Sequence, residues 1–147
     1  LAYPVEAGVA DQLDKRSFVD LSDAHFAAYM RRPDAVTYAA EYRANYARAA
    51  EWMAMVSRVL ERGAASPDSA SVFARRVRDS LPDSGRPLGA YMARTIDRQL
   101  GRAALIRGAG DTYGFWLDYD RAAGAAKTPR LSSAARAVIQ RLRTQYR

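Results

Sequence analysis

The stretch PDAVTYAAEYRANYARAAEWMAMVSRVLERG, from Pro33 to Gly63, decides the fold class. Val36, Ala39, Tyr42, Tyr46, Ala49, Met53, Val56 and Leu60 step by three or four residues, the interval that aligns side chains on one face of a helix. Pro33 stands at the head of the run, and Gly63 stands where a C-cap glycine belongs. The pattern predicts one helix of about thirty residues, beyond the usual globular length and suited to be the spine of the fold. Tyr38 and Trp52 flank the stripe and widen its buried face.

The same period continues outward from this segment. Val5, Val9 and Leu13 repeat every four residues after Pro4, which predicts a first helix. Ser17 to Leu21 reads as a break, after which Ser22 or Asp23 caps a short helix carrying Phe26, Tyr29 and Met30. Downstream, Ser66-Pro67-Asp68 is a helix start, with Val72, Phe73, Val77 and Leu81 as the face that follows. Pro82 to Pro87, rich in Gly, Ser and Asp, reads as a loop. Leu88, Met92, Ile96 and Leu100 then form a helical face that ends at Gly101. Ala103 to Arg107 is a short helical piece between glycines, and Asp111 caps an aromatic helix with Phe115, Trp116 and Tyr119. After the linker Gly124 to Pro129, Ser132 or Ser133 caps a last amphipathic helix through Ala135, Val138, Ile139 and Leu142. No stretch alternates apolar and polar residues for long, so strands are not expected. The chain reads as all-α: an irregular bundle of seven or eight helices around one long central helix, a single helical domain over residues 1–147.

Composition narrows the function classes. With 147 residues, 49% hydrophobic and 27% charged, the chain is globular and large enough to bury a core. No apolar run approaches the roughly 20 residues that cross a bilayer. Zero cysteines exclude thiol catalysis, disulfides and thiolate metal sites. They leave the compartment open, with the periplasm or secretion favoured over the cytoplasm. The formal net charge is +7, and all but two of the 23 basic residues, Lys15 and Lys127, are arginine. Such a balance permits an anionic partner. The arginines are nevertheless spread along the chain and interleaved with Asp and Glu, which argues against nucleic acid and for the amino-acid usage of a GC-rich genome.

Few residues can do chemistry. His25 is the one histidine, beside Phe26 in a short amphipathic segment, where a helix-end role fits better than a ligand. Neither Ser22 nor Ser57 has a motif that would pair it with His25 as a nucleophile. One His and no Cys do not make a conventional zinc site. Asp118 and Asp120 diverge by about 200° on a helix, and Asp11 and Asp14 are close only in sequence; solvated faces account for both pairs. Asp83 to Gly89 lacks the spacing and Lys-Ser/Thr ending of a phosphate loop, and Gly108-Ala109-Gly110 is too short for a dinucleotide fingerprint. Tyr38, Tyr42 and Tyr46, four apart, read as packing at a helix seam.

Two stretches carry a resemblance. Glu6-Ala7-Gly8-Val9-Ala10-Asp11-Gln12-Leu13 is similar to the E-G-[IV]-A-D segment on the second active-site helix of gluzincin-type zinc peptidases. Pro87 to Ala93, followed by Ile96, Gly101, Ala104 to Ile106, Asp111 and Phe115 to Tyr119, resembles the C-terminal helices of zinc-dependent peptidase families of that kind. The resemblance implies a zinc site whose HExxH helix, with two His ligands and the Glu general base, lies upstream of Leu1. It implies Glu6 as the third metal ligand, Asp11 as the residue that orients the site, and Gly8 as the glycine that lets the two active-site helices approach closely. It also implies Tyr91 as a stabiliser of the developing oxyanion, and a peptide as substrate. The sequence departs from the pattern in two places. HExxH is absent, and Ala7 holds the position of the family's Glu, with Glu6 one residue early and turned by about 100°. The chain is thus expected to be the C-terminal helical part of a zinc peptidase-like protein, inactive in isolation and without bound zinc by itself. The alternative is a non-enzymatic basic helical module that binds protein or an anionic partner.

Overall fold

The computed structural model describes residues 2–13, 19–31, 33–64 and 70–146. Among them are nine α-helices and no strand: α1 (Ala2–Leu13), α2 (Asp23–Met30), α3 (Ala35–Ala47), α4 (Ala49–Ala64), α5 (Ala70–Ser80), α6 (Arg86–Leu100), α7 (Arg102–Gly108), α8 (Thr112–Ala126) and α9 (Ser133–Gln145). The all-α reading holds, and several expected caps are in place. Ser22 Oγ accepts from the His25 N–H, Asp111 from the Gly114 N–H at 2.7 Å, and Ser132 from the Ala135 N–H at 3.1 Å. Each satisfies an amide that a helix start leaves open. The start at Ser66-Pro67 and the side chains of Leu13, Tyr29, Val72 and Phe73 lie outside the described residues.

The long helix expected from Pro33 to Gly63 is two helices. The chain breaks at Arg48, where φ is −90° and ψ is 19°, and its N–H turns to the carbonyls of Asn45 and Tyr46. Neither proline nor glycine marks the break, so periodicity runs straight through it. Three contacts brace the corner. The Trp52 indole N–H donates to the Asn45 carbonyl at 3.0 Å, the Arg48 guanidinium stacks 4.5 Å from the Trp52 ring centroid, and it also binds Glu51. The two halves serve different cores. Ala35, Ala39 and Tyr42 pack with Phe26 and Ala90 in a small cluster. Ala49, Met53, Val56 and Leu60 join the main one. Val36, read as part of the buried stripe, is exposed.

The long central helix is instead the segment entering at Pro82 and running through α6 to Leu100; α6 touches α1, α3, α4, α7 and α8. Pro82–Gly85, expected as a loop, is a tight 3-10 turn in which Asp83, Ser84 and Gly85 all have positive φ. For Asp83 and Ser84 that conformation carries a steric cost. Two contacts hold the turn: the Tyr38 hydroxyl donates to the Asp83 carboxylate, and Gly85 packs on Pro4.

α1 lies on α6 closer than side chains permit elsewhere. A methyl added to Gly8 would fall on the backbone of Gly89, and one added to Gly89 on the backbone of Pro4, both well under 3.0 Å. The two helices advance together, with Pro4 at Gly85 and Gly89, Gly8 at Gly89, and Gln12 donating to Asp97 at 3.0 Å. Val5 and Val9 reach past this seam into the main core with Met92, Ile96, Phe115, Trp116 and Tyr119.

Candidate functional site

Along α1, Val5, Gly8, Val9 and Asp11 are buried, whereas Ala2, Glu6 and Ala10 are exposed. These three are four apart and form one outward stripe. Glu6 therefore projects from α1 away from α6, with the methyl groups of Ala2 and Ala10 four residues before and after it. It makes no hydrogen bond or ion pair among the described residues.

Asp11 is buried, which corrects the solvated-face reading. Its Oδ1 accepts from Arg86 Nη2 at 2.9 Å, and its Oδ2 accepts from Arg86 Nε at 3.0 Å and from the Tyr42 hydroxyl at 3.0 Å. The paired arrangement matches carboxylate to guanidinium edge-on. It ties three helices, α1, α3 and α6, at one point. Burial first, and the Asp11 charge second, push the Tyr42 hydroxyl far above its ordinary range, so it stays protonated and donating. Tyr38 is pushed up as well, by burial and then by its bond to Asp83. The hydrogen bonds to Asp11 hold Arg86 charged. Asp11 thus ties α1 to α3 and α6. It stands about 140° around the helix from Glu6 and does not bond to that side chain.

Tyr91 lies elsewhere. Gly89, which meets α1, and Tyr91 are two positions apart on α6, about 200° in rotation, so the Tyr91 ring faces the other way. It sits between Tyr46 and Tyr119, edge-on to both, with centroids 5.3 and 6.4 Å apart. The structure brings Glu6 and Asp11 onto one helix and does not bring Tyr91 to them.

The fit to a zinc ion can be tested on the donors themselves. Among the described residues no three His, Asp or Glu side chains converge as a metal site. His25 is exposed on α2, its Nδ1 2.8 Å from Ser22 Oγ at the helix cap. Both Asp11 oxygens are taken. The described residues therefore do not fit zinc on their own, and Glu6 offers one carboxylate without companions. Asp118 and Asp120 do not share a solvated face. They diverge as expected, but only Asp118 faces water; Asp120 is buried and binds Arg130 through Nη2 at 2.7 Å and Nε at 3.2 Å. An open groove between α4 and α9, lined by Ala64, Ala137 and Val138 with Glu61 and Arg141, includes none of the three expected site residues.

Sequence reasoning missed Arg86 and Tyr42 as partners of Asp11. Tyr42 was visible only as one member of an aromatic stripe, and Arg86 stood in a segment that read as loop. No local signal links positions 75 residues apart in sequence.

What the geometry defines is an all-α scaffold that clamps one helix by its backbone and presents a single acidic side chain from it. A family model described as putative zinc dependent peptidase (DUF5700) matches residues 5–128, and the chain belongs to that family. No curated protein and no solved structure matches the chain. Among the described residues no helix is long and apolar enough to cross a membrane.

Proposed function

We propose that this chain is the C-terminal helical part of a zinc-dependent peptidase-like protein, with the two histidines and the general base of an HExxH helix supplied from outside it. In this reading Glu6 is the third zinc ligand, the substrate is a peptide, and the 147 residues alone neither hold zinc nor hydrolyse peptides. One observation carries the reading: α1 is held against α6 by backbone contact and by Asp11, and the one charged side chain on its outward stripe is Glu6, between Ala2 and Ala10. A ligand on a rigid helix needs little reorganisation when metal binds. Ala2 and Ala10, the members of that stripe beside Glu6, are small enough for a second helix to pack on it. The glycine contact and the Asp11–Arg86–Tyr42 knot supply the rigidity, so Asp11 is a positioning residue for α1. Tyr91 has no place beside Glu6 in this reading and belongs to the aromatic stack that joins α6 to Tyr46 of α3 and Tyr119 of α8.

The test is zinc stoichiometry in the protein encoded by the complete reading frame, compared with its Glu6→Gln variant. One zinc per chain, lost or weakened by about a hundredfold in the variant, is the expected result. A stoichiometry near zero in the unaltered protein, or an unaffected variant, removes Glu6 from the metal site. The competing reading, a basic module for an anionic macromolecule, predicts salt-sensitive retention on nucleic acid. The structure favours it less, because Arg43, Arg48, Arg86, Arg94, Arg121, Arg130 and Arg143 each bind a carboxylate of the same chain.

A further inference from the structure

On the side of α6 turned away from α1, polar groups from three segments converge. Tyr91, Arg94 and Arg98 follow one another at intervals of three and four on a single face of α6. Tyr46 of α3 leans onto Tyr91, ring against ring. The Tyr46 hydroxyl lies in the electrostatic field of both Arg94 and Arg98, and also of Asp20, from the turn before α2. Asp20 Oδ1 accepts from Arg94 Nη1 at 2.9 Å. Arg94 is largely buried, while Asp20 is half-exposed. Arg98 is exposed and makes no ion pair among the described residues. The cluster thus holds two guanidinium groups, two phenols and one carboxylate, with one positive charge in excess.

We propose that Tyr46, Tyr91, Arg94 and Arg98 form a carboxylate-binding site at the α3–α6 seam, with Asp20 as its internal occupant. A carboxylate offers two acceptor oxygens and suits a guanidinium fork with a phenolic O–H beside it. Arg94, anchored in the seam, is the fixed half of the site; Arg98, free at its rim, is the half that an incoming carboxylate adds. Asp20 occupies only the first half, and its exposure lets a second carboxylate displace it. The source of the ligand is either a small carboxylic acid or the carboxylate at the end of a peptide, and the chemistry recognised is the same. The assignment is independent of the zinc reading, since it uses neither Glu6 nor Asp11.

The full chain is titrated with acetyl-trialanine as the free acid, with the corresponding amide, and with sodium acetate, following the arginine Nε–H signals by NMR. The free acid is expected to shift the Arg94 and Arg98 signals, and the amide to leave them in place. Acetate as effective as the peptide acid assigns the site to carboxylate alone, and a weaker acetate assigns it to a chain end. Arg98→Gln is expected to weaken the acid by about tenfold, and Asp20→Asn to tighten it by a similar factor. Both residues are exposed, so both variants keep the fold, which circular dichroism verifies. Equal binding of acid and amide, or an Arg98→Gln variant with unchanged affinity, overturns the site. An Asp20→Asn variant that binds no better overturns the role of Asp20.

Discussion

Two seams in this molecule use the same pair of side chains and differ in what lies beneath them. At α1–α6, buried Asp11 is gripped by Arg86; near α8–α9, buried Asp120 is gripped by Arg130. In the first, Arg86 is 26% exposed, Tyr42 adds a third hydrogen bond, and the helix backbones touch at Gly8 and Gly89. In the second, Arg130 is 47% exposed, a further arginine, Arg136, stands 3.6 Å away, and the helices meet through side chains such as Ile139. Solvent reaches the second clamp and screens it. An ion pair of the same chemistry therefore closes a backbone-to-backbone seam in one place and a solvated side-chain seam in the other; close approach and burial, more than charge, set the two apart. The family match, over residues 5–128, includes the first seam and stops before α9.

The largest effect expected from breaking this contrast is at the glycines. Gly89→Ala drives a methyl into the Pro4 backbone, which cannot yield as a side chain would, and should cost about 4 kcal/mol or more in urea unfolding. A variant within about 0.5 kcal/mol of the parent, a margin typical of a surface change, would show that α1 is free to shift. Next, Asp11→Ala should cost about 3 kcal/mol, since it strands the partly buried Arg86 and frees the Tyr42 hydroxyl. Alkaline pH separates the contribution of Tyr42. Its folded pKa is raised, so its stabilising effect is complete below the unfolded value of about 10 and declines as pH rises beyond it. Tyr42→Phe should make that alkaline loss shallower by about 1.4 kcal/mol per pH unit, measured as urea midpoints above pH 10. At the more solvated seam, Asp120→Ala should cost less than Asp11→Ala, with a dependence on salt that Asp11→Ala lacks. A larger loss there than at Asp11 would invert the comparison. The smallest effect belongs to Glu6→Ala, within about 0.5 kcal/mol of the parent in thermal melts, because Glu6 supports nothing in the fold.

Much of this architecture was legible in the sequence because helices announce themselves locally. The cap at Asp111 and the buried faces through Met53, Val56, Ile96 and Phe115 follow from residue type and spacing, while the structure chooses Ser22 over Asp23 and Ser132 over Ser133. The break at Arg48 was not legible, since it arises from a tertiary choice between two cores and from a Trp52 contact that spacing does not encode. The turn at Pro82–Gly85 was hidden for a related reason. Its left-handed residues include Asp83 and Ser84, which are held there by Tyr38 and by packing on Pro4 rather than by their own preference. For the candidate site, the acidic positions Glu6 and Asp11 were visible by resemblance. Their different fates were not, because burial of Asp11 depends on Arg86 and Tyr42, brought from distant segments.

The glycine contact also limits how this protein can change over generations. When two side chains crowd each other, a large residue on one helix can be offset by a smaller one on the other. Here each glycine faces main chain, at Gly89 for Gly8 and at Pro4 for Gly89. No substitution elsewhere removes a backbone atom. A random screen for second-site suppressors of Gly8→Ala should therefore return reversion to glycine, with global stabilisers at remote positions, and no compensating exchange on α6.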